Sequence, residues 1–373
     1  MLLSNVHITG KEGVYDIHIR EGKIQSIEPC TGTEEGWNMQ RALAFPGLIN
    51  SHDHLEFNCY SYTGNRKYAN YRDWGNDIQQ NNRAEIDRVL RIPEYLRMRW
   101  GMYKNMINGV TTVVHHGKPI ARGDYPVHIV QSCQSLHSVG FEPRWKWKLN
   151  HPLKMGIPVA MHVGEGTDEL AKEETRELLR WNLLKRKVVA VHGVGMTEDI
   201  AKGFHALAWC PATNFFLLGA TAQVDKLKKH LPIIFGTDST LTASWNIWDQ
   251  LREARATALL NDEELLDSVT REPSAVWNLH ERGTLSPGMM ADIVITQSND
   301  FFSTDPCHIL LVLREGRPEL ADPVFEGVIN NIEKDTCNTC FVQGIKKYVR
   351  GDIAGLIKEV RHWCPGIELP VTV

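Results

Sequence analysis

Residues 44–58 read AFPGLINSHDHLEFN, an apolar run that closes on His52 and His54 with Asp53 between them. Side chains alternate faces along a strand, so two histidines one residue apart point the same way and present two metal ligands together. A lone His-x-His is more often the polar end of a buried strand. What gives this one weight is recurrence. The runs Thr111–His115, Val127–Gln131, Ile157–His162, Val188–His192, Ala206–Cys210 and Ile233–Phe235 all read as short buried strands. His115 and His116 close the first of these, His162 ends GIPVAMH, His192 ends KVVAVH, and Asp238 follows LPIIFGTD.

Between the strands lie stretches of helical periodicity: 85–108, 168–187, 224–230 and 245–260. Strand and helix in alternation predict a parallel sheet, closed or open. If the sheet closes into a β/α barrel, the carboxyl ends of its strands converge on one face, where such folds build their sites. Two histidines from one strand, one from a later strand and an aspartate from the last make a nitrogen and oxygen set suited to zinc or iron(II). Each of these residues alone has a plainer explanation, His162 as a hydrogen-bonded core residue and Gly-Thr-Asp as a turn or cap. Their occurrence at five strand ends reverses that balance.

Glu165 follows His162 by three in MHVGEG, just past a strand end. It is expected to carry a proton to a ring nitrogen while water activated on a metal attacks the neighbouring carbon, with His192 orienting that water. Its plainer role would be a first-turn charge on the helix that follows.

The chain ends differ from the middle. Val14–Ile19 and Lys23–Ile27 around a Glu21–Gly22 turn, GTLSPGMMADIVI at 283–295 and FVQGIKKYVRGD at 341–352 all read as β structure, and Ile353–Trp363 as a helix. Start and finish are expected to pair as a second, smaller domain, giving 1–44, 45–282 and 283–373 as the divisions. At 373 residues the chain can bury a sizeable core, and a net charge of −4 leaves no basic excess to draw nucleic acid or an anionic membrane. No apolar run reaches the ~20 residues of a membrane span or forms a signal peptide, so a cytoplasmic protein is expected. The eight cysteines are scattered, as reduced thiols are. Cys337 and Cys340 form the single close pair, and a zinc knuckle there would lack its second Cys-x-x-Cys.

The motifs PGLINSHDH (46–54), GVTTVVHHG (109–117), MHVGE (161–165), VHG (191–193), CPATN (210–214), GTDS (236–239) and GTLSPGMMADIVI (283–295) resemble the amidohydrolase superfamily. The likeness is to the branch of methylthioadenosine/S-adenosylhomocysteine deaminase, guanine and cytosine deaminases and triazine hydrolases. The resemblance implies a distorted (β/α)8 TIM barrel with a small β-sandwich formed from both chain ends, and one divalent metal ion, zinc or alternatively iron(II). By position, His52, His54, His162 and Asp238 correspond to the metal ligands, and Glu165, His192 and Asp238 to the catalytic groups. Asn214 and Ser239 correspond to pocket or supporting residues, and His116 is placed with them by its strand-end position. The implied activity is release of ammonia from an aminated heterocycle of nucleobase, pterin or triazine type. The alternatives are hydrolysis of a cyclic amide or of another C–N or C–Cl bond, and a catalytically silent binding protein. The expected partner is thus a small heterocycle, with homo-oligomer formation left open.

Two departures stand out. His52 and His162 are 110 residues apart (162 − 52), short for this branch, and no clean fourth strand lies between Gln131 and Ile157, Arg144–Leu149 in PRWKWKLN being the candidate. On such a strand Lys146 or Lys148 could be the carbamylated lysine of two-metal relatives, although lysines among tryptophans are also explained by snorkelling. The segment YSYTGNRKYANYRDW (60–74) is aromatic and arginine-rich enough to stack a ring and hold a carboxylate or phosphate.

Overall fold

The computed structural model describes residues 1–32, 36–325 and 337–373. The chain begins with β1 (Leu2–Ile8), β2 (Tyr15–Arg20), β3 (Lys23–Pro29), β4 (Trp37–Asn38) and β5 (Leu43–Pro46). Its middle carries β6 (Leu48–Asp53), β7 (Val110–His115), β8 (His128–Ile129), β9 (Gln134–Ser138), β10 (Val159–Val163), β11 (Val188–His192), β12 (Ala206–Trp209) and β13 (Ile233–Phe235). These form two all-parallel sheets, β6-β7-β8 and β9-β10-β11-β12-β13. Strands β6, β7 and β10 to β13 are buried along their whole length, as parallel strands covered on both faces are.

The end strands β14 (Ile293–Thr296), β15 (Ile309–Arg314), β16 (Arg317–Ala321), β17 (Cys337–Val342), β18 (Ile345–Arg350) and β19 (Val371–Thr372) join β1 to β5 in one 11-stranded sheet. Start and finish of the chain meet where β14 runs antiparallel to β5, Ile293 opposite Pro46 and Thr296 opposite Leu43. Cys340 is buried within this sheet, and among the described residues neither it nor Cys337 belongs to a group able to hold a metal.

Helical periodicity over 85–108 resolves into separate helices. After α1 (Tyr71–Asn81) come α2 (Arg83–Leu90) and α3 (Glu94–Ile107), parted at Pro93, which has no N–H to give and disfavours the helical backbone of Ile92. Helix α3 lies hard against the Leu55–Phe57 turn: a Cβ on Gly101 would sit 2.3 Å from the Leu55 carbonyl oxygen. This contact fixes the chain just after His54.

The fourth strand is not Arg144–Leu149. That segment forms a short helix, α4 (Trp145–Leu149), and the strand is β9, paired with β10. Trp145, Trp147 and Leu149 alternate like a strand, but 145 and 149 are also one helical turn apart. The structure buries those two and leaves Trp147 65% exposed. Strand β9, QSLHS, has one aliphatic residue, and Gln134 and Ser138 are buried with it. Residues 130–133 alone link β8 to β9, and no helix lies between β7 and β9. The short spacing between His52 and His162 therefore comes from missing crossover helices.

His128 on β8 is mostly buried, and that burial, with the Arg282 guanidinium, pushes its imidazole down to about 4. Its value falls below the ~6.5 of a free histidine, so between the two the unfolded chain binds more protons. The stability involved is complete above pH ~6.5 and lost as pH falls to about 4. His128→Gln is expected to flatten the pH dependence of unfolding in that window by on the order of 1–2 kcal/mol, discounted for partial exposure. Denaturant midpoints between pH 4 and 7 measure this, and parallel curves for the two proteins would contradict it.

Candidate metal and active site

The carboxyl ends of the parallel strands converge. His52 and His54 leave β6 with ring centroids 5.0 Å apart, and His162 near the end of β10 brings its Nε2 to 3.2 Å from His52 Nε2. Asp238, three residues past β13, places Oδ1 3.8 Å from Nε2 of both His52 and His54. Glu165, two residues past β10, lies 3.8 Å from His162 Nδ1 and 3.7 Å from His192 Nε2. His192 ends β11, its Nε2 3.9 Å from Asp238 Oδ2.

His192 and Asp238 both adopt left-handed backbone, with φ of 73° and 54°. Side-chain-bearing residues are uncommon there, and such strain gathers where a site dictates side-chain direction. Surrounding contacts hold both. Asn214 accepts from His192 Nδ1 at 3.0 Å and is anchored through its Nδ2 to the His192 carbonyl and Thr221 Oγ1. That bond leaves His192 Nε2 facing the two carboxylates with no hydrogen-bond partner. Asp238 Oδ1 accepts from the Ser239 backbone N–H at 2.9 Å, and Oδ2 from Thr242 Oγ1. Ser239 thus acts on the site through its main chain, and its side chain borders the adjoining cavity.

Asp53 answers for its own place between the two histidines. Facing away from them, it is fully buried against α3, where Lys104 Nζ (2.8 Å) and Asn105 Nδ2 (2.6 Å) donate to Oδ2 and Asn58 Nδ2 (2.8 Å) to Oδ1. Lys104 also donates to Asn58 Oδ1 at 3.0 Å. The His-x-His pair is therefore held from behind by a buried ion pair, whose Lys104 shares the buried face of α3 with Asn105 and was not foreseen.

Burial, reinforced by neighbouring imidazoles, holds His52, His116 and His162 well below the usual histidine range, so their rings are neutral with lone pairs free to bind metal. Burial, then the Asp238 and Glu174 charges, pushes the Glu165 carboxyl well above the ordinary carboxylate range. His52 Nδ1 and Glu165 Oε2 are buried without partners. Two imidazole nitrogens facing one another across 3.2 Å beside the Asp238 carboxylate fit a divalent cation.

A cavity of about 90 Å³ adjoins Glu165 and Asp238, walled by Phe57, Tyr71, Trp74 and Phe141. A larger one of about 870 Å³ shares His54 and His137 with it and extends along β8 and β9. His137, its ring centroid 5.0 Å from that of His162, was not foreseen because the strand carrying it was not. The arginines of 60–74 do not wait for an anion: Arg72 pairs with Glu174 and Arg66 with Asp77 at 3.6 Å. Lys146 pairs with Glu177 at 2.7 Å over the Trp181 ring, and Lys148 with Glu142. Both lysines thus lie on helix α4, not on the strand expected to carry a carbamylated lysine, and each pairs with a glutamate.

The amidohydrolase family model matches residues 146–319, which hold His162, Glu165, His192, Asn214 and Asp238. The chain resembles the amidohydrolases. Among curated relatives, 5-methylthioadenosine/S-adenosylhomocysteine deaminase of Pyrococcus furiosus is 28% identical over 173 residues, 40% of this chain and 41% of that protein. The match thus spans about two fifths of that relative's length. Among solved structures, a zinc-bound adenosine deaminase from Xanthomonas campestris aligns with 97% of each chain at TM-score 0.68 and 16% identity. A zinc-complexed atrazine chlorohydrolase from Arthrobacter aurescens aligns with 88% of this chain and 98% of its own, at TM-score 0.64 and 16% identity. At these identities the amidohydrolase likeness is one of fold, an α/β arrangement of the TIM-barrel type. No helix among the described residues is long and apolar enough to cross a membrane.

Proposed function

We propose that this chain is a metal-dependent aminohydrolase that releases ammonia from an aminated heterocycle. One observation carries the reading: a buried Glu165 carboxyl, disposed to hold a proton, sits 3.7 Å from His192 and faces Asp238 across the histidine cluster beside an aromatic-walled cavity. His52, His54, His162 and Asp238 would hold the metal, zinc in the first instance. The ion's contribution would be to lower the pKa of water so that a nucleophile is available at neutral pH.

The chain's residues do the rest. Trp74, Phe57 and Phe141 flank the planar ring. Glu165 gives its proton to the ring nitrogen beside the amine-bearing carbon, which makes that carbon electrophilic, and Asp238 takes the proton of the attacking water. His192, its tautomer set by donation from Nδ1 to Asn214, accepts at Nε2 from the attacking water and so orients it. A second proton transfer then lets ammonia leave. In the same reading the two parallel sheets form the wall of a distorted (β/α)8 barrel over 45–282, and 1–44 with 283–373 a small β-sandwich.

The test is ammonia release by metal-loaded protein across aminated purines, pyrimidines, pterins and triazines, before and after chelation. Release from one class, lost on chelation and regained with metal, is expected. The second reading, hydrolysis of another ring substituent, has the chlorohydrolase likeness behind it and predicts chloride or a cleaved amide without ammonia. Metal-loaded protein that binds a heterocycle and yields no product would leave the silent binding protein.

A further inference from the structure

Resting on the aminohydrolase reading above, we infer that the substrate is a heterocycle carrying a long arm that ends in a carboxylate or phosphate, and that the larger cavity along β8 and β9 is the subsite for that arm. Volume is the first reason. The aromatic-walled cavity beside Glu165 has about 90 Å³, whereas its neighbour has about 870 Å³, within the ~300–1,000 Å³ of small-molecule sites. The two share His54, Phe57 and His137, so a ring held in the first borders directly on the second.

The chain's own topology makes this room. Residues 130–133 join β8 to β9 without a crossover helix, and each of these strands is the last of its sheet, so the place that such a helix would take is left open. The cavity begins at His116 and His137, near the carboxyl ends of β7 and β9, and reaches Gln134 and Ile157, near the amino ends of β9 and β10. Along β9 from 134 to 137 that is about 10 Å. Trp147, which α4 leaves 65% exposed, gives an arm of that length an apolar wall.

Polar groups along the cavity lack partners. Both ring nitrogens of His116, Glu56 Oε2 and His151 Nδ1 are buried without a hydrogen bond, and all three side chains line it. Buried polar atoms are normally paired. One face of the His116 ring is covered by His162, stacked at 4.5 Å and 14°, so its free nitrogens can serve a polar atom of the arm lying in the ring plane. At the far end charge decides the class. Of the lysines that line the cavity, Lys118 faces Glu94 at 3.5 Å and Lys148 pairs with Glu142, whose other oxygen accepts from the His137 N–H at 2.8 Å. Exposed Lys154, three residues before Ile157, has no carboxylate partner among the described residues. Its ammonium lies near enough to Cys133 to draw that thiol down, against a burial that pushes it up to about 11. An uncommitted cation at the end of the cavity suits an anionic terminus.

The experiment measures calorimetric binding to metal-loaded protein of oxo-heterocycles that have no amine to lose: hypoxanthine, uracil, lumazine and cyanuric acid. Each is used bare, with a butyl arm and with a carboxybutyl or phosphonobutyl arm, attached in turn at ring positions other than the oxo carbons. For one ring, the butyl arm is expected to tighten binding by roughly tenfold and an acidic arm by about fivefold more, the better acid naming the source of the charge. Lys154→Met should abolish the second gain alone. Cys133→Trp, which fills the cavity, should abolish both and leave the bare ring bound as in wild type. If Cys133→Trp does not fold, Lys154→Met at its exposed position decides. Arms that bring no gain on any ring would overturn the subsite, and an acidic gain that is absent, or that survives Lys154→Met, would overturn the anionic class. No binding by any of these compounds would overturn the inference together with the heterocycle reading, whereas both gains in a protein silent across the ammonia panel would fail the proposed activity alone.

Discussion

Glu165→Gln is expected to lower the turnover number by roughly 10²- to 10⁴-fold, the worth of a positioned general acid, while metal content stays at the wild-type level. Glutamine keeps the volume and one acceptor of the side chain but cannot give up a proton to a ring nitrogen. The nearest nitrogen of a proposed ligand, His162 Nδ1, is 3.8 Å from Glu165 Oε2, beyond hydrogen-bond reach, so the change should spare the proposed donor set. Because burial beside Asp238 keeps the carboxyl in its protonated form, the amide replaces one neutral group by another and leaves no new buried charge. The variant should therefore be about as stable as wild type. The checks are steady-state ammonia release, metal analysis and thermal unfolding on the same preparation. Turnover within tenfold of wild type would remove Glu165 from the proton path.

Lys104→Met is expected to cost about 3–5 kcal/mol of stability, the penalty for leaving one member of a buried ion pair alone. Lys104 and Asp53 have side chains 3% and 0% exposed, and the ammonium supplies one of several donors that converge on the carboxylate. Methionine keeps the apolar stem, so the loss reports the charge rather than packing. Adding Asp53→Asn to Lys104→Met should recover a large part of the loss, because the orphaned charge goes with it. Denaturant unfolding of the metal-free single and double variants measures the coupling. Additive losses would mean that the pair is not a unit, and that His52 and His54 are held by the strand alone.

Much of the site could be read in advance because its chemistry is local. A histidine or carboxylate that ends a buried apolar run is visible as a break in hydrophobic pattern, and His52, His54, His162, His192 and Asp238 all sit at such breaks. Helix 353–363 and strands β11 and β13 likewise show their periods plainly. His137, Lys104 and the helical state of 145–149 were not legible. Strand β9 buries glutamine and serine, so its pattern resembles a loop, and a spacing of four suits Trp145 and Leu149 to strand or helix alike until Trp147 is seen to face solvent.

The sequence by itself determined the strand-and-helix alternation and which imidazoles and carboxylates stand at strand ends, since side-chain period and burial preference act within a few residues. The tertiary structure decided that these ends meet, that β8 and β9 follow one another without a crossover helix, and that the arginines of 60–74 are spent on Glu174 and Asp77. It also decided that Asp53 faces a buried lysine 51 residues along the chain. Such pairings depend on which distant segment fills the space opposite, and that is settled by packing over the whole core rather than by any local pattern.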